Sequence, residues 1–420
     1  MAFNHGPLGM QWDDRYRSVR EVDILRTLLL FGWAFEAGSG TAEEAVRIML
    51  EGWTQSGLPF RRASDGKRLF DPIEVNNFLK WAGLEGRDRF LSERLVPTHQ
   101  RMVTDLAEFG ASQGGDGGEC RFVVEFRRTF NLRSIAAGTK LRLRAPLPLA
   151  GNYLKSMRVT PFADRFSESQ IKLSPGRMEA RVVANGETDV TFGATLDVTV
   201  TPQEPYPGQE GDTVDRALYL SECEGLIVVT DRIRTLALSL AESNAPVMDA
   251  LRAFWVHLNE RMIFGAVHYD QIDYASPCDW TLDSGWFDCQ TASALFVALC
   301  RARGIPARII GGYFLFRTSP TKHYWVEAWI EGQGWTPFDF MSWDLSTRGR
   351  DATWRDRYFG RLDYRLICER LPREFTGALG VPLPDAWYMA ALAIKGGVED
   401  RLMDINGTSI YSDTVRVLDY

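Results

Sequence analysis

The chain has 420 residues, 45% of them hydrophobic and 25% charged, with a formal net charge of −7. This composition is typical of a globular protein of two or three domains. The slightly acidic balance gives no indication of a nucleic-acid partner or of an anionic membrane surface.

The beginning of the chain bears on its location. Residues 1–20 are polar and interrupted by Asp13, Asp14 and Arg15, so they predict no signal peptide. The most apolar run, residues 24–35, contains an arginine and is too short to cross a bilayer, which takes about 20 apolar residues. We therefore expect a cytoplasmic protein with no membrane partner.

Cysteine spacing and short motifs argue against metal and cofactor chemistry. The six cysteines are scattered and no two have CxxC spacing, which predicts reduced thiols, most of them buried. The sequence contains no HExxH, Walker loop or GxGxxG motif, so it supports neither a metal nor a nucleotide cofactor.

Hydrophobic patterns divide the chain into three zones and a tail. Residues 18–112 predict a helical domain, with helix-start signals at Thr41 with Glu44 and at Asp71-Pro72. Residues 120–205 alternate with period two, which predicts antiparallel strands in a sandwich-like domain. Residues 213–375 predict helices followed by strands, and residues 376–420 a tail that packs on this core.

A possible nucleophile lies at the start of a predicted helix. Asp288 is a suitable N-cap, which places Cys289 in the first helical turn. Free backbone N–H groups and the helix dipole stabilise an anion there, so we expect the pKa of this thiol to lie below that of a free cysteine. A cysteine at a helix start is also common without any function, so position alone leaves both interpretations open.

Two partners for a thiol follow on predicted strands. His323 enters a strand over 323–330, and Asp339 ends the return strand over 335–339. A carboxylate beside the imidazole would fix its tautomer and make it a base for the thiol. Simple register, however, places Asp339 opposite Glu327, so this pairing predicts a bulge or a slipped register.

Taken together, these segments resemble the core of the transglutaminase-like superfamily. The resemblance extends over about 120–375, including a β domain like that of bacterial members, and leaves the helical zone unassigned. It is carried by Cys289 with its helix, the 301–308 stretch, His323-x-Trp325-x-Glu327, Gly334-Trp335-x-x-x-Asp339 and Tyr358-Phe359-Gly360-x-Leu362-Asp363.

The resemblance implies an α+β protein with a papain-like core and a Cys289–His323–Asp339 triad. The thiolate would attack a peptide, amide or thioester carbonyl to give a thioester, and the Cys289 N–H would hold the oxyanion. Trp286 and Gln290 are candidates for the second oxyanion donor, with packing or a surface position as the alternative. Trp325 is either core packing or part of an aromatic wall for substrate.

We therefore expect a bacterial, transglutaminase-like cysteine enzyme that transfers an acyl group to an amine, as a biosynthetic or modification step requires. Aromatic residues beside the presumed triad (Trp286, Tyr324, Trp325 and Trp329) could exclude water and favour this transfer. The alternatives are a cysteine peptidase or amidase that uses water, and a non-catalytic binding module of the same fold. We expect loss of His323 or Asp339 to damage catalysis far more than folding. The sequence leaves the substrate and the oligomeric state open.

Overall fold

A computed structural model describes most of the chain. The described residues are 19–20, 42–113, 118–133, 135–207, 216–267, 271–273, 275–318, 320–370, 394–396 and 411–419. The apolar run at 24–35, and most of the predicted tail, therefore lie outside the described residues. None of the described helices is both long enough and apolar enough to cross a membrane.

In its described residues, the N-terminal zone has three helices and a small sheet. The helices are α1 (Ala42–Gln55), α2 (Pro72–Leu84) and α3 (Val96–Gln113), the last preceded by a π-helical turn at Leu91–Leu95. Helix α2 starts at the predicted proline. The sheet, which the sequence did not predict, has β1 (Val19–Arg20), β3 (Arg68–Phe70) and β2 (Arg61–Arg62) in that order.

The second zone consists of antiparallel strands, as its period-two pattern predicts. The strands are β4 (Cys120–Asn131), β5 (Lys140–Pro146), β6 (Leu154–Ala163), β7 (Ile171–Ser174), β8 (Arg177–Val183) and β9 (Asp189–Val200). Strands β4 and β9 pair antiparallel over their whole length. Phe122, Val124 and Phe126 are buried on one face of β4, where the alternation predicts them.

The described part of the tail corrects one expectation. Strand β18 (Ile394–Gly396) extends the sheet β5-β8-β7, and β19 (Tyr411–Asp419) extends the sheet β4-β9-β6. The tail thus adds an edge strand to each sheet of the β zone, whereas we expected it to pack on the catalytic core. A fully buried Arg128 on β4 holds β19 by a two-point ion pair with Asp413, at 2.6 Å for each bond.

The third zone begins with helices and short strands around one central helix, α8 (Cys289–Ala302). Every residue from Gln290 to Arg301 in α8 is buried, a wider buried surface than the predicted one-sided stripe. The elements before it are α4 (Arg216–Tyr219), β10 (Cys223–Glu224), β11 (Ile227–Val228), α5 (Asp231–Leu240), α6 (Val247–Arg261), β12 (Ile263–Phe264), α7 (Pro277–Ser284) and β13 (Trp286–Phe287).

A four-stranded antiparallel sheet follows α8 and packs on it. Its strand order is β16-β15-β14-β17. The bounds are β14 (Ala307–Phe314), β15 (Lys322–Ile330), β16 (Gly334–Phe338) and β17 (Arg365–Arg370), with α9 (Ser342–Ser346) and α10 (Ala352–Arg355) between the last two strands. Helices and antiparallel sheets in separate stretches make this an α+β protein, as predicted.

The pairing of β15 with β16 replaces the predicted register. Glu327 pairs with Pro337, and the ladder runs without a bulge from Ile330–Gly334 to Val326–Phe338. Asp339 is therefore the first residue beyond the ladder. Of the two alternatives that we expected, a bulge and a slipped register, the ladder has the slipped register, and Asp339 reaches His323 diagonally from the strand end.

The N-terminal helices pack directly on the third zone. The Lys80 ammonium on α2 forms a buried ion pair with Asp344 on α9, with 2.8 Å between Nζ and Oδ1. The Asn77 side chain donates to the carbonyl of Ala266 and accepts its N–H, both at 2.9 Å. Buried polar contacts of this kind need a fixed geometry, so α2 is held in register with the segments around it.

Candidate active site

Cys289 is the first residue of the central helix. Asp288 is the N-cap, as predicted, and its Oδ1 accepts the backbone N–H groups of Gln290 and Thr291, each at 3.0 Å. The Thr291 hydroxyl in turn accepts the Asp288 N–H and completes a capping box. The partly buried thiol is therefore held at a rigid helix start.

The electrostatic environment of the thiol differs from the sequence-based expectation. Burial raises the pKa of Cys289 above its ordinary value, and the nearby Asp288 and Asp339 carboxylates act in the same direction. A backbone hydrogen bond from Tyr324 and the charge of Lys322 oppose this shift and are outweighed. The expected low pKa from the helix dipole is therefore wrong: desolvation and the N-cap carboxylate dominate, and Cys289 needs a base to become nucleophilic.

His323 and Asp339 are brought together as expected. His323 Nε2 lies 2.8 Å from Asp339 Oδ1, and both side chains are buried. The imidazole also stacks on the Phe314 ring, with 4.3 Å between centroids and 28° between planes. The Cys289 thiol lies against the same strand, because it accepts a hydrogen bond from the backbone N–H of Tyr324, the residue after His323.

Asp339 is held as a carboxylate in spite of complete burial. Burial alone would raise its pKa, but the charges of His323 and Arg365, with hydrogen bonds from His323 and the Met341 N–H, outweigh it. The pKa of Asp339 therefore lies well below its usual range. A carboxylate only accepts hydrogen bonds, so His323 must carry its proton on Nε2 and present the lone pair of Nδ1.

Arg365 is the residue at this site that sequence reasoning missed. This fully buried guanidinium, at the start of β17, donates through Nη1 to Asp339 Oδ2 and through Nε to Asp363 Oδ1 at 2.7 Å. Its Cζ also lies 4.7 Å from the centroid of Phe314. The only sequence signal was a charged residue opening an apolar strand, Leu366-Ile367-Cys368, just after the Leu362-Asp363 motif.

The three remaining candidates have different surroundings. Trp325 is fully buried under Arg365, which indicates core packing, one of the two roles that we expected for it. Trp286 is nearly buried in β13, and a Cβ placed on Gly265 would meet its ring at 2.8 Å, which indicates packing. Gln290 is buried beside the nucleophile, and its Oε1 has no hydrogen-bond partner within the described part of the chain.

Helix α2 borders the segments that carry the nucleophile and the carboxylate. The Lys80 ammonium lies 4.9 Å from the Phe264 ring centroid and 5.4 Å from that of Trp343. Phe264 pairs with Phe287, two residues before Cys289, and Trp343 follows Asp339 by four residues. The N-terminal zone thus contacts the strand that pairs with the segment before Cys289 and the helix that follows Asp339.

Comparisons with known proteins identify the core. Residues 234–340 match the family model of the transglutaminase-like superfamily. The matched segment includes Cys289, His323 and Asp339. No curated protein matches the chain. The chain therefore contains a transglutaminase-like domain, and the resemblance seen in its motifs is confirmed for this segment.

Solved structures show more distant likenesses. A candidate cysteine protease from Cytophaga hutchinsonii is 17% identical, with a TM-score of 0.43, over 72% of this chain and 93% of the other. The periplasmic domain of TgpA from Pseudomonas aeruginosa is 18% identical, with a TM-score of 0.30, over 60% of this chain and 96% of the other. At these TM-scores neither neighbour bears on the chemistry of this chain.

Proposed function

We propose that this chain is a cysteine enzyme that forms a thioester on Cys289. The observation that carries the proposal is the His323–Asp339 pair beside the start of the central helix. Asp339 holds the imidazole in the tautomer that leaves Nδ1 free to accept a proton, and the Cys289 thiol needs such a base.

The proposed reaction has two halves. His323 Nδ1 takes the thiol proton while the sulfur attacks the carbonyl carbon of a peptide, amide or thioester donor. The resulting oxyanion accepts the Cys289 N–H, and His323 returns the proton to the leaving amine or thiol as its bond to the carbon breaks. An amine or water then attacks the thioester, His323 takes a proton from it, and the thiol is restored.

We propose transfer to an amine as the second half, and hydrolysis remains a second candidate for a specific reason. Orientation of an amine can be worth about 10⁵ M or more in effective concentration, which overcomes water at about 55 M. The aromatic wall that we expected to exclude water is incomplete, because Tyr324 and Trp325 are buried in the core. The incomplete wall would admit water, and it therefore supports hydrolysis more strongly than the sequence pattern did.

Product partitioning separates the two. With a thioester or peptide donor and increasing amine, we expect an amide product that overtakes the free acid, measured by mass spectrometry. A yield of free acid that no amine changes would establish a peptidase or amidase. The Cys289→Ala variant should give neither product, and a product that persists in it would refute the enzyme proposal altogether.

The division of the chain and its location are also proposals. We propose a helical domain at 18–112, a β domain at 120–205 and a catalytic domain at 213–375. The buried contacts of Lys80 and Asn77 support a helical domain that acts as part of the catalytic unit. The six cysteines are free thiols, which supports a reducing compartment such as the cytoplasm.

A further inference from the structure

We infer that Arg365 is a positioning residue for His323, acting through Asp339 and Phe314. The inference rests on the proposed function, in which His323 is the base for Cys289. It adds a fourth side chain, from β17, to the three that the motifs indicate.

The first observation is a closed ring of contacts. Arg365 donates to Asp339, Asp339 accepts from His323 at 2.8 Å, and His323 stacks on Phe314 at 4.3 Å between centroids. Phe314 returns to Arg365, whose Cζ lies 4.7 Å from the centroid of the ring. One guanidinium thus fixes both the carboxylate at the edge of the imidazole and the ring on its face.

Strand pairing explains why these residues meet. Phe314 and Arg365 are directly opposite each other in the β14–β17 ladder. His323 lies on β15, on the other side of β14, where it pairs with Gly312. A Cβ on Gly312 would lie 2.7 Å from the Trp325 ring, so the missing side chain lets Trp325 pack close beside the site.

The second observation is the balance of charge around Asp339. Its carboxylate is fully buried, and within the described part of the chain it interacts with the titratable groups of His323, Arg365, Tyr358 and Cys289. A buried carboxylate without a cation takes up a proton. A protonated Asp339 could donate to Nε2, which would move the imidazole proton to Nδ1 and remove the base that the thiol needs.

Arg365 is itself anchored independently of the triad. Asp363 accepts its Nε at 2.7 Å, and Tyr358 donates its hydroxyl to Asp363. The Tyr358 ring also lies under the guanidinium, at 4.9 Å from Cζ to the centroid. The group that orients Asp339 is therefore held by contacts outside the triad, which is what a positioning residue requires.

The test is a double-mutant cycle on the rate at which iodoacetamide alkylates Cys289. The parent carries Cys223→Ser, which removes the exposed competing thiol. The other proteins add Asp339→Asn, Arg365→Met, or both, and rates at neutral pH are given per mole of folded protein. Arg128→Met is the control, since Arg128 is also a fully buried guanidinium in an ion pair with an aspartate, but lies in the β zone.

If Arg365 acts through Asp339, the two losses are not additive. We expect Asp339→Asn to slow alkylation about 10²-fold, because His323 then loses the carboxylate that fixes it in the tautomer of a general base. Arg365→Met should slow the parent about tenfold or more, and the Asp339→Asn protein less than about twofold. Arg128→Met should alkylate at the parent rate. A merely structural role would give additive losses, or equal losses for the two arginine variants.

The outcomes separate the two proposals. If Asp339→Asn is alkylated as fast as the parent, the proposal that Asp339 orients His323 as the base for Cys289 is refuted, and the role of Arg365 with it. A slow Asp339→Asn combined with an unchanged or additive Arg365→Met would refute only the role of Arg365. Should Arg365→Met not fold, Arg365→Met with Asp363→Asn takes its place, because removal of one cation and one carboxylate keeps the net charge, and the same criteria apply.

Discussion

Replacement of Asp339 by asparagine tests whether this carboxylate is a structural as well as a catalytic group. The substitution keeps the shape of the side chain and removes its charge. His323 then loses the anion that fixes its tautomer, and the loss of such a carboxylate lowers turnover on the order of 10⁴-fold. Arg365 loses one of its two buried carboxylate partners at the same time.

The stability effect follows from that second loss. Removal of one partner from a buried ion pair costs about 3–5 kcal/mol, and the remaining Asp363 places this case near about 3 kcal/mol. At about 2–4 °C per kcal/mol, Tm should fall by about 6–12 °C. From the sequence we expected the loss of Asp339 to damage catalysis far more than folding. The ion pair with Arg365 adds a measurable loss of stability to that expectation.

The assay is thermal unfolding by circular dichroism, with alkylation of Cys289 measured on the same samples. His323→Ala is the control, because it leaves the Asp339–Arg365 pair in place. It should lose as much reactivity as Asp339→Asn and lower Tm by less. A Tm for Asp339→Asn within about 1 °C of the wild type would refute the stability argument, since about 3 kcal/mol was expected.

Three further predictions concern acid stability, thiol reactivity and the helical zone. Since the pKa of Asp339 is depressed, its contribution to stability is complete above its unfolded value of about 3.9 and is lost as the pH falls through the lower folded value. Denaturation from pH 7 to pH 3 should therefore show the difference in free energy of unfolding between wild type and Asp339→Asn narrowing below about pH 4. A constant difference would contradict this. Brief treatment with iodoacetamide should label the exposed Cys223 and also Cys289, as located by peptide mapping. His323→Ala should abolish only the label on Cys289. Equal labelling of Cys289 in wild type and His323→Ala would exclude His323 as its base. Lys80→Met should lower the free energy of unfolding by about 3–5 kcal/mol, because it leaves the buried Asp344 without its cation. The double variant Lys80→Met with Asp344→Asn should recover much of that loss. If Lys80→Met alone is as stable in urea as the wild type, the buried pair does not anchor α2.

The sequence predicted those parts of the fold that local signals specify. The start of α2 at Pro72, the N-cap at Asp288 and the inward alternation on β4 depend on neighbouring residues, and the structure has them where the patterns indicate. Cys289 also stands at the predicted start of its helix, and His323 is the second residue of a strand that we predicted to start with it.

The errors lie where distant segments meet. The simple register of β15 with β16 was wrong and the slipped alternative correct; the sequence did not decide between a slip and a bulge, because the pairing is set by the turn after Ile330. Arg365 was missed because its contact with Asp339 depends on the pairing of β17 with β14, which no local pattern shows. The pKa of Cys289 was misjudged because burial, which outweighs the helix dipole, is a property of the whole fold.

The most direct test of the proposed chemistry is capture of the acyl-enzyme by intact-mass spectrometry. The protein with Cys223→Ser is mixed with small thioester and peptide donors and quenched in acid, which preserves a thioester. We predict a mass increase equal to one acyl group, mapped to Cys289, released by hydroxylamine and absent from the protein that also carries Cys289→Ala. No adduct with any donor, or an adduct that persists without Cys289, would contradict a thioester at this residue.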